Sequence, residues 1–312
     1  MRLNRGVHVY SIPMNVRFRG ITERSGVLVE GPAGWGEFCP FVEYDDEECV
    51  PWLRCALEAA DEGWPEPKRD KVPVNCTVPV VSPERAHEIV KSSGCGTAKV
   101  KVAESTVEED CERLEAVRDA LGPQGHVRID ANMLWDVETA VKAIKAMDRA
   151  AGGLQYVEQP CRTLDELAQV RRRTTVLIAA DESIRKAEDP VKVAVAGAAD
   201  IAVIKVAPLG GVRRALEIAE ACGLPCVVSS ALETSVGMAA GIALAAALPE
   251  LDYACGLATL SMFQGDVTSA PLRPENGYLA VPRTAPEPDL IAEHEIDDPR
   301  WIDRLNRVRA SL

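Results

Sequence analysis

Six charged residues close short β-rich runs at regular intervals: Lys99 and Lys101 together, then Asp130, Glu158, Asp181 and Lys205. The steps from Lys101 to Lys205 are between 23 and 29 residues, each enough for one strand and one helix. Three carboxylates on successive strands that meet at one point repel one another strongly unless a cation lies between them. An all-oxygen set favours Mg²⁺, with Mn²⁺ able to substitute, over zinc, and leaves coordination positions for water and a substrate carboxylate. A lysine acts as a base only as the neutral amine, and neighbouring positive charge favours loss of its proton. Lys101, with Lys99 and the ion beside it, is therefore the candidate base for taking a proton from carbon next to a carboxylate. Lys205, four strands around the ring, would face the other side of the substrate, where it could stabilise negative charge or exchange a proton. For each residue taken singly a salt-bridge role is as good a reading; the repetition over five strands is what favours chemistry. The histidines are His8, His87, His126 and His294, and only His126 adjoins a barrel strand, at its N-terminal end, which disfavours a histidine base or a histidine–zinc site.

Side chains that meet in this way need a scaffold, and the sequence indicates one. Eight apolar runs are expected to be strands: 72–78, 98–102, 127–130, 154–158, 175–181, 201–206, 226–229 and 251–254. Helical patterns separate them, among them 107–121, 137–150 and 212–222. The alternation predicts a parallel (β/α) barrel, whose sites lie at the C-terminal ends of the strands. Period-two alternation puts Lys99 and Lys101 on one face of their strand and Val100 on the other. Ahead of the barrel, Gly26–Glu30, a turn over 31–34 and Trp35–Phe38 predict a hairpin. A helix over 50–60 follows, with Pro51 in its first turn, and Gly63-Trp64-Pro65-Glu66-Pro67 breaks it. The expected division is a small α+β capping domain over 1–70, a barrel over 71–270, and an irregular tail over 271–312 that packs back on the cap.

The 312 residues, 47% hydrophobic and 27% charged, suit an ordered globular chain. A formal net charge of −13 disfavours nucleic acid and anionic membrane surfaces as partners, while a cation-lined pocket still admits a small anionic carboxylate. Ten cysteines without a C-x-x-C pair are expected to be free thiols. Residues 1–10 lack the apolar run of a secretion signal, and the apolar stretch 236–248 is too short for a membrane span, so a cytoplasmic location is expected. Oligomeric state is not legible.

With these residues in hand, the sequence resembles the enolase superfamily over nearly its whole length. The Lys99-Val100-Lys101 motif, the Asp130, Glu158, Asp181 series and Lys205 are similar to the muconate-lactonising subgroup. Mandelate-type racemases would place a histidine where this chain has Ser229-Ser230-Ala231-Leu232-Glu233-Thr234. Dipeptide epimerases would carry an acidic D-x-D where it has Cys255-Gly256-Leu257-Ala258. Gly34–Phe41, Glu43-Tyr44-Asp45-Asp46, the short first domain and Asp130-Ala131-Asn132 resemble o-succinylbenzoate synthases of the actinobacterial type. That resemblance implies a modified (β/α)7β barrel and a hydro-lyase of menaquinone biosynthesis. The reaction it implies is Mg²⁺-dependent dehydration of 2-succinyl-6-hydroxy-2,4-cyclohexadiene-1-carboxylate, through an ene-diolate that the metal stabilises. It further implies Lys101 as base, Lys205 as electrostatic partner, and Asn132, Ser230 and the backbone of Gly256 and Leu257 as contacts to substrate carboxylates. The alternatives are an N-acylamino acid racemase or dipeptide epimerase with the same metal and lysines, a metal-free Schiff-base aldolase using Lys205, and a silent barrel that only binds Mg²⁺ and an acidic ligand.

Overall fold

The computed structural model describes residues 6–185 and 197–312. The chain opens with an antiparallel sheet of β1 (Val7–Phe18), β2 (Ile21–Gly31) and β3 (Gly34–Phe38), in that order. The expected hairpin is β2 and β3. Its long neighbour β1 was passed over although Tyr10, Ile12, Met14, Val16 and Phe18 alternate with Ser11, Pro13, Asn15 and Arg17, because Pro13 within the run reads against a strand. At the sheet edge, where β1 lies, a missing N–H is tolerated. Arg19 and Gly20 join β1 to β2 with φ of 50° and 81°, a two-residue turn whose twist matches the strands.

Helix α1 (Asp46–Asp61) starts four residues before the expected Val50, because Asp45 and Glu48 form a reciprocal capping box ahead of the apolar face. Pro51 consequently lies in the second turn, not the first. The helix packs so closely on β3 that a Cβ at Gly36 would stand 1.9 Å from the Ala56 carbonyl oxygen, so that position requires glycine.

The run expected over 72–78 divides in two. β4 (Lys71–Pro73) pairs antiparallel with β12 (Tyr278–Ala280) from the tail, while β5 (Cys76–Val78) enters the barrel. Next come α2 (Pro83–Ser93), β6 (Thr97–Lys101), α3 (Val107–Leu121), β7 (His126–Asp130), α4 (Val137–Ala150), β8 (Leu154–Glu158), α5 (Leu164–Arg173) and β9 (Ile178–Ala180). The chain continues through the single turn α6 (Glu182–Arg185), β10 (Ile201–Ile204), the short α7 (Val206–Leu209), α8 (Val212–Cys222), β11 (Cys226–Val228) and α9 (Ser235–Ala247). Strands β5 to β11 form one parallel sheet in sequence order, as the alternating pattern predicts for a parallel (β/α) barrel.

The eighth run is not a strand. Its carbonyl at Ala254 accepts Arg128 Nη1 at 2.6 Å instead of joining a ladder. Closure comes one residue later, where Cys255 bridges Val74 and Gly256 bridges Ser229. A Cβ at Gly256 would lie 2.6 Å from Ser229 Oγ, which leaves room there only for glycine.

Tyr156, Ala179, Ile201, Val203 and Val227 pack together below the charged ends. Beside them the wholly buried Arg128 lies over the Tyr156 ring and bonds to Gln155 and Asn75. Outside, α9 is buried almost all round, as its unbroken apolar stretch predicts. The tail differs from expectation: instead of irregular chain it forms α10 (Ile291–His294) and the amphipathic α11 (Pro299–Ala310). Trp301, Leu305 and Val308 of α11 are buried, and Trp301 meets Phe38 edge-on.

Candidate active site

The pleat of the barrel strands brings the six charged residues to one place. Along β6, β7 and β8, residues two apart face the interior, so Lys99 and Lys101, Arg128 and Asp130, and Tyr156 and Glu158 stack in pairs with the acidic or basic member uppermost. Register sets Lys101 opposite Asp130 and Asp130 opposite Glu158. Asp181 follows β9 directly and Lys205 follows β10.

Lys99 Nζ lies 2.9 Å from both oxygens of Glu158 and 3.3 Å from Asp130 Oδ2. Lys101 Nζ is 2.5 Å from Asp130 Oδ2 and 2.6 Å from Asn132 Oδ1, and it sits over the Phe18 ring at 5.1 Å. Lys205 donates to Asp181 Oδ2. Three buried acids are thus balanced by three ammonium groups.

The electrostatic burden is uneven. Burial would raise Asp130, but the ammonium groups of Lys101 and Lys99 hold it well below the usual carboxylate range. Burial pushes Glu158 up to about 7, helped by repulsion from Asp130 and Asp181 on either side, with Lys99 only partly offsetting them. The two acids share Lys99 yet move in opposite directions because Asp130 has Lys101 as well. Burial would lower Lys99, and the charges of Glu158 and Asp130 raise it instead.

As the side chains stand, no three histidine, cysteine, aspartate or glutamate groups among the described residues form a closed metal cluster. Ammonium groups take inward-facing acid oxygens. The donor set still fits a hard divalent ion. It is entirely carboxylate, it comes from three consecutive strand ends, and two of its members already share one cationic nitrogen.

Above the cluster is a cavity of about 380 Å³. Lys101, Asn132, Lys205 and Ser230 line it, whereas Gly256 and Leu257 do not. The Gly256 N–H is already donated to the Val228 carbonyl at 2.8 Å, so the backbone contact expected of Gly256 has no free donor. Ser230 Oγ shares a hydrogen bond with Thr259 Oγ1 at 2.7 Å.

Sequence reasoning passed over several residues here. Phe18, Arg19 and Gly20 wall the cavity from the β1–β2 turn, with Arg19 stacked 3.8 Å above the Phe41 ring, and nothing in the sequence pointed to them. Glu182 and Gln159 had a signal, since each is a polar residue directly after a singled-out acid. Glu182 lines the cavity and accepts from Asn132 Nδ2 at 3.4 Å. Gln159 is fully buried with φ of 38°. Its Oε1 accepts the Asp181 N–H at 2.9 Å and the Ser183 N–H at 3.2 Å, and its Nε2 donates to Ser183 Oγ at 2.8 Å. Gln159 therefore fixes the chain where Asp181 leaves the sheet.

Known families account for this arrangement. Residues 9–60 match the family described as Enolase N-terminal domain-like, and residues 82–286 match Enolase C-terminal domain-like. The chain belongs to the enolase superfamily. Among its relatives in that superfamily, the o-succinylbenzoate synthase of Thermobifida fusca (strain YX) is 62% identical over 304 residues, which span 97% of this chain and 95% of that protein. The o-succinylbenzoate synthase of Mycolicibacterium smegmatis is 53% identical across 98% of this chain and 96% of its own. Solved superfamily structures share the fold. 2-Chloromuconate cycloisomerase from Rhodococcus opacus 1CP superposes with a TM-score of 0.80 at 21% identity, covering 94% of this chain and 99% of that one. The L-Ala-D/L-Glu epimerase from Bacillus subtilis gives 0.77 at 24% identity, covering 94% and 98%.

Proposed function

We propose that this chain is an o-succinylbenzoate synthase, a hydro-lyase that dehydrates 2-succinyl-6-hydroxy-2,4-cyclohexadiene-1-carboxylate in menaquinone biosynthesis. The observation that carries the reading is the placement of Lys101 and Lys205 on one cavity from strands four apart, in a chain 62% identical to a synthase of that name. In this reading residues 1–70 with 271–312 form the cap, and 71–270 form the catalytic barrel.

Asp130, Glu158 and Asp181 would hold Mg²⁺ or Mn²⁺. When bound, that ion supplies positive charge where the substrate carboxylate gains negative charge on losing the neighbouring proton. The chain's own residues do the rest. With Lys101 neutral, three acids face two ammonium groups, so a divalent ion makes the cluster positive and suits an anionic substrate. Lys101 takes the ring proton as the neutral amine and returns it to the departing hydroxide. Lys205 offsets the developing charge from the opposite side. Lys99, buried between Glu158 and Asp130, stays charged and acts by keeping positive charge beside Lys101. Asn132 bonds to Lys101 and sets its amine towards the cavity, while Ser230 faces the substrate from the β11 side. Phe18 covers the amine and excludes water.

The test is an absorbance assay of the purified protein with the cyclohexadiene substrate, with and without Mg²⁺. Formation of the aromatic product only with the ion is expected. An unchanged substrate skeleton that gains deuterium in D₂O would point instead to racemase or epimerase chemistry.

A further inference from the structure

Asp110 and Arg113, three residues apart on one face of α3, form an ion pair that is almost wholly buried, at 1% and 3% exposure. Arg113 Nη1 lies 2.6 Å from Asp110 Oδ1. Packing alone does not call for such a pair, since the cost of taking two charges out of water offsets their attraction and apolar side chains of similar volume would serve as well. What the pair supplies is bonds to two loops. Arg113 donates from Nε to the Val81 carbonyl at 2.8 Å and from Nη1 to the Lys101 carbonyl at 3.2 Å. Asp110 Oδ2 accepts the Ala103 N–H at 2.9 Å. Ser105 Oγ donates to Asp110 Oδ1 at 2.6 Å and accepts from Arg113 Nη2 at 3.1 Å. The loops that follow β5 and β6 are thereby tied to one point on α3. Both wall the active-site cavity, the first through Pro79 and Val80 and the second through Lys101 and Glu104, while Asp110 and Arg113 lie outside its lining.

We propose that Asp110 and Arg113 are a positioning pair for the base: they fix the Lys101 backbone and the turn after it, so that the Lys101 amine keeps its place on the cavity. The inference rests on the reading of Lys101 as the base. The sheet holds this chain as far as Val102, whose N–H bonds to the Asp130 carbonyl at 3.1 Å. At Ala103 the restraint passes to Asp110. Ala103 has φ of 75°, a left-handed conformation that a residue with a Cβ rarely adopts and that persists only where the surroundings fix it. The Asp110 bond to its N–H is such a constraint, two residues beyond the base. The Arg113 bond to the Lys101 carbonyl acts on the base's own backbone. Precision matters there, because misplacing a reacting group by about 1 Å costs about 100-fold in rate.

Steady-state kinetics with the cyclohexadiene substrate, beside Mn²⁺ titration, test this. Arg113→Lys keeps a charge next to Asp110 but loses the planar fork that reaches two carbonyls at once. Its kcat and kcat/KM should fall together by about 10-fold to 100-fold, as for a group needed only in the transition state, with Mn²⁺ affinity unchanged. Asp110→Asn should act in the same direction, and the double variant should cost no more than the larger single effect, because the two side chains act as one unit. A folded Arg113→Lys with wild-type kcat, beside an inactive Lys101→Ala, overturns the positioning role and leaves the base in place. A Lys101→Ala that still turns over overturns both. A kcat that falls only in step with Mn²⁺ affinity also overturns the positioning role, since a merely structural pair would disturb the whole barrel mouth. In the wild type, hydrogen exchange followed by NMR should rank the Ala103 amide with the strand amides. An Ala103 amide that exchanges like an exposed loop overturns the proposal whether or not the variants fold.

Discussion

The buried charge cluster at the barrel mouth and the one where the first sheet meets the barrel are satisfied in different ways. At the mouth, Asp130, Glu158 and Asp181 are bonded to lysine ammonium groups beside a cavity. In the seam, Glu37 on β3 accepts from Tyr10 Oη at 2.5 Å, from the Thr234 N–H and hydroxyl, and from the Gly237 N–H at 2.8 Å. It thereby caps the N-terminus of α9 from a different layer of the fold. Arg24 donates to the carbonyls of Leu232 and Cys39 and lies 4.5 Å from the Phe41 ring. Backbone groups cannot be exchanged for a ligand, whereas an ammonium on a flexible stem can yield to an ion or a substrate. The seam is built to hold and the mouth to change partners, and only the mouth opens on a cavity.

Variants can break that contrast, and the largest effect is expected at the mouth. Lys101→Ala should lower kcat by about 10²–10⁴-fold, the range supplied by a positioned base, with the thermal midpoint nearly unchanged. Near-normal turnover in the absorbance assay would remove Lys101 from the chemistry. Glu158→Ala should weaken Mn²⁺ binding, read by electron paramagnetic resonance, by more than about 100-fold, because the loss of a direct ligand exceeds the usual cost of disturbing its support. Removing the ion with EDTA should abolish turnover in the wild type and restore it on adding Mg²⁺.

At the seam the same kind of truncation should act on stability instead. Glu37→Ala leaves Tyr10, Thr234 and Gly237 donors without their buried acceptor and removes the cap of α9, a loss of about 2–4 kcal/mol. Chemical denaturation should show a lower midpoint with an unchanged slope, while Mn²⁺ affinity stays within about twofold of wild type. A fall in turnover without a fall in stability would mean that the seam takes part in the chemistry.

The mouth was legible in the sequence and the seam was not, for a physical reason. A parallel barrel repeats one strand and one helix, and its inner face repeats every second residue, so an acid at each strand end is a local signal that the fold projects onto one point. Helices α3, α4 and α8 were readable from end to end, because one apolar face is bracketed by local stop signals: Thr106 and Gly122, Asp136, and Gly211 and Gly223. Glu37 meets Thr234 across 197 residues, and no local pattern reports such a contact. The same limit hid Phe18 and Arg19, whose turn reaches the cavity only through tertiary packing. α11 is a different case: its apolar residues at 301, 305 and 308 have helical spacing, but the proline-rich and acidic chain before them masks it. The eighth run was misplaced because the barrel closes just beyond it, through isolated bridges at Cys255 and Gly256 and not through a strand over 251–254.

The smallest effect should come from Gln159, which touches neither the cavity nor a substrate yet clamps the backbone on which Asp181 rides. Truncation to alanine deletes an acceptor for two N–H groups and a donor to Ser183, while Asp181 itself stays in place. Loss of such support costs a metal site about 10–100-fold in affinity, so Gln159→Ala should weaken Mn²⁺ binding within that range. A rise in saturating Mg²⁺ should then recover most of kcat, which Glu158→Ala cannot do. Gln159→Glu separates positioning from packing. It keeps the acceptor for the Asp181 N–H but loses the donor to Ser183 and the Cys161 carbonyl, and it adds negative charge beside three acids. If Gln159→Ala binds Mn²⁺ as tightly as the wild type, the strand end is fixed by the sheet alone, and the contrast between a yielding mouth and a rigid seam loses the element that joins them.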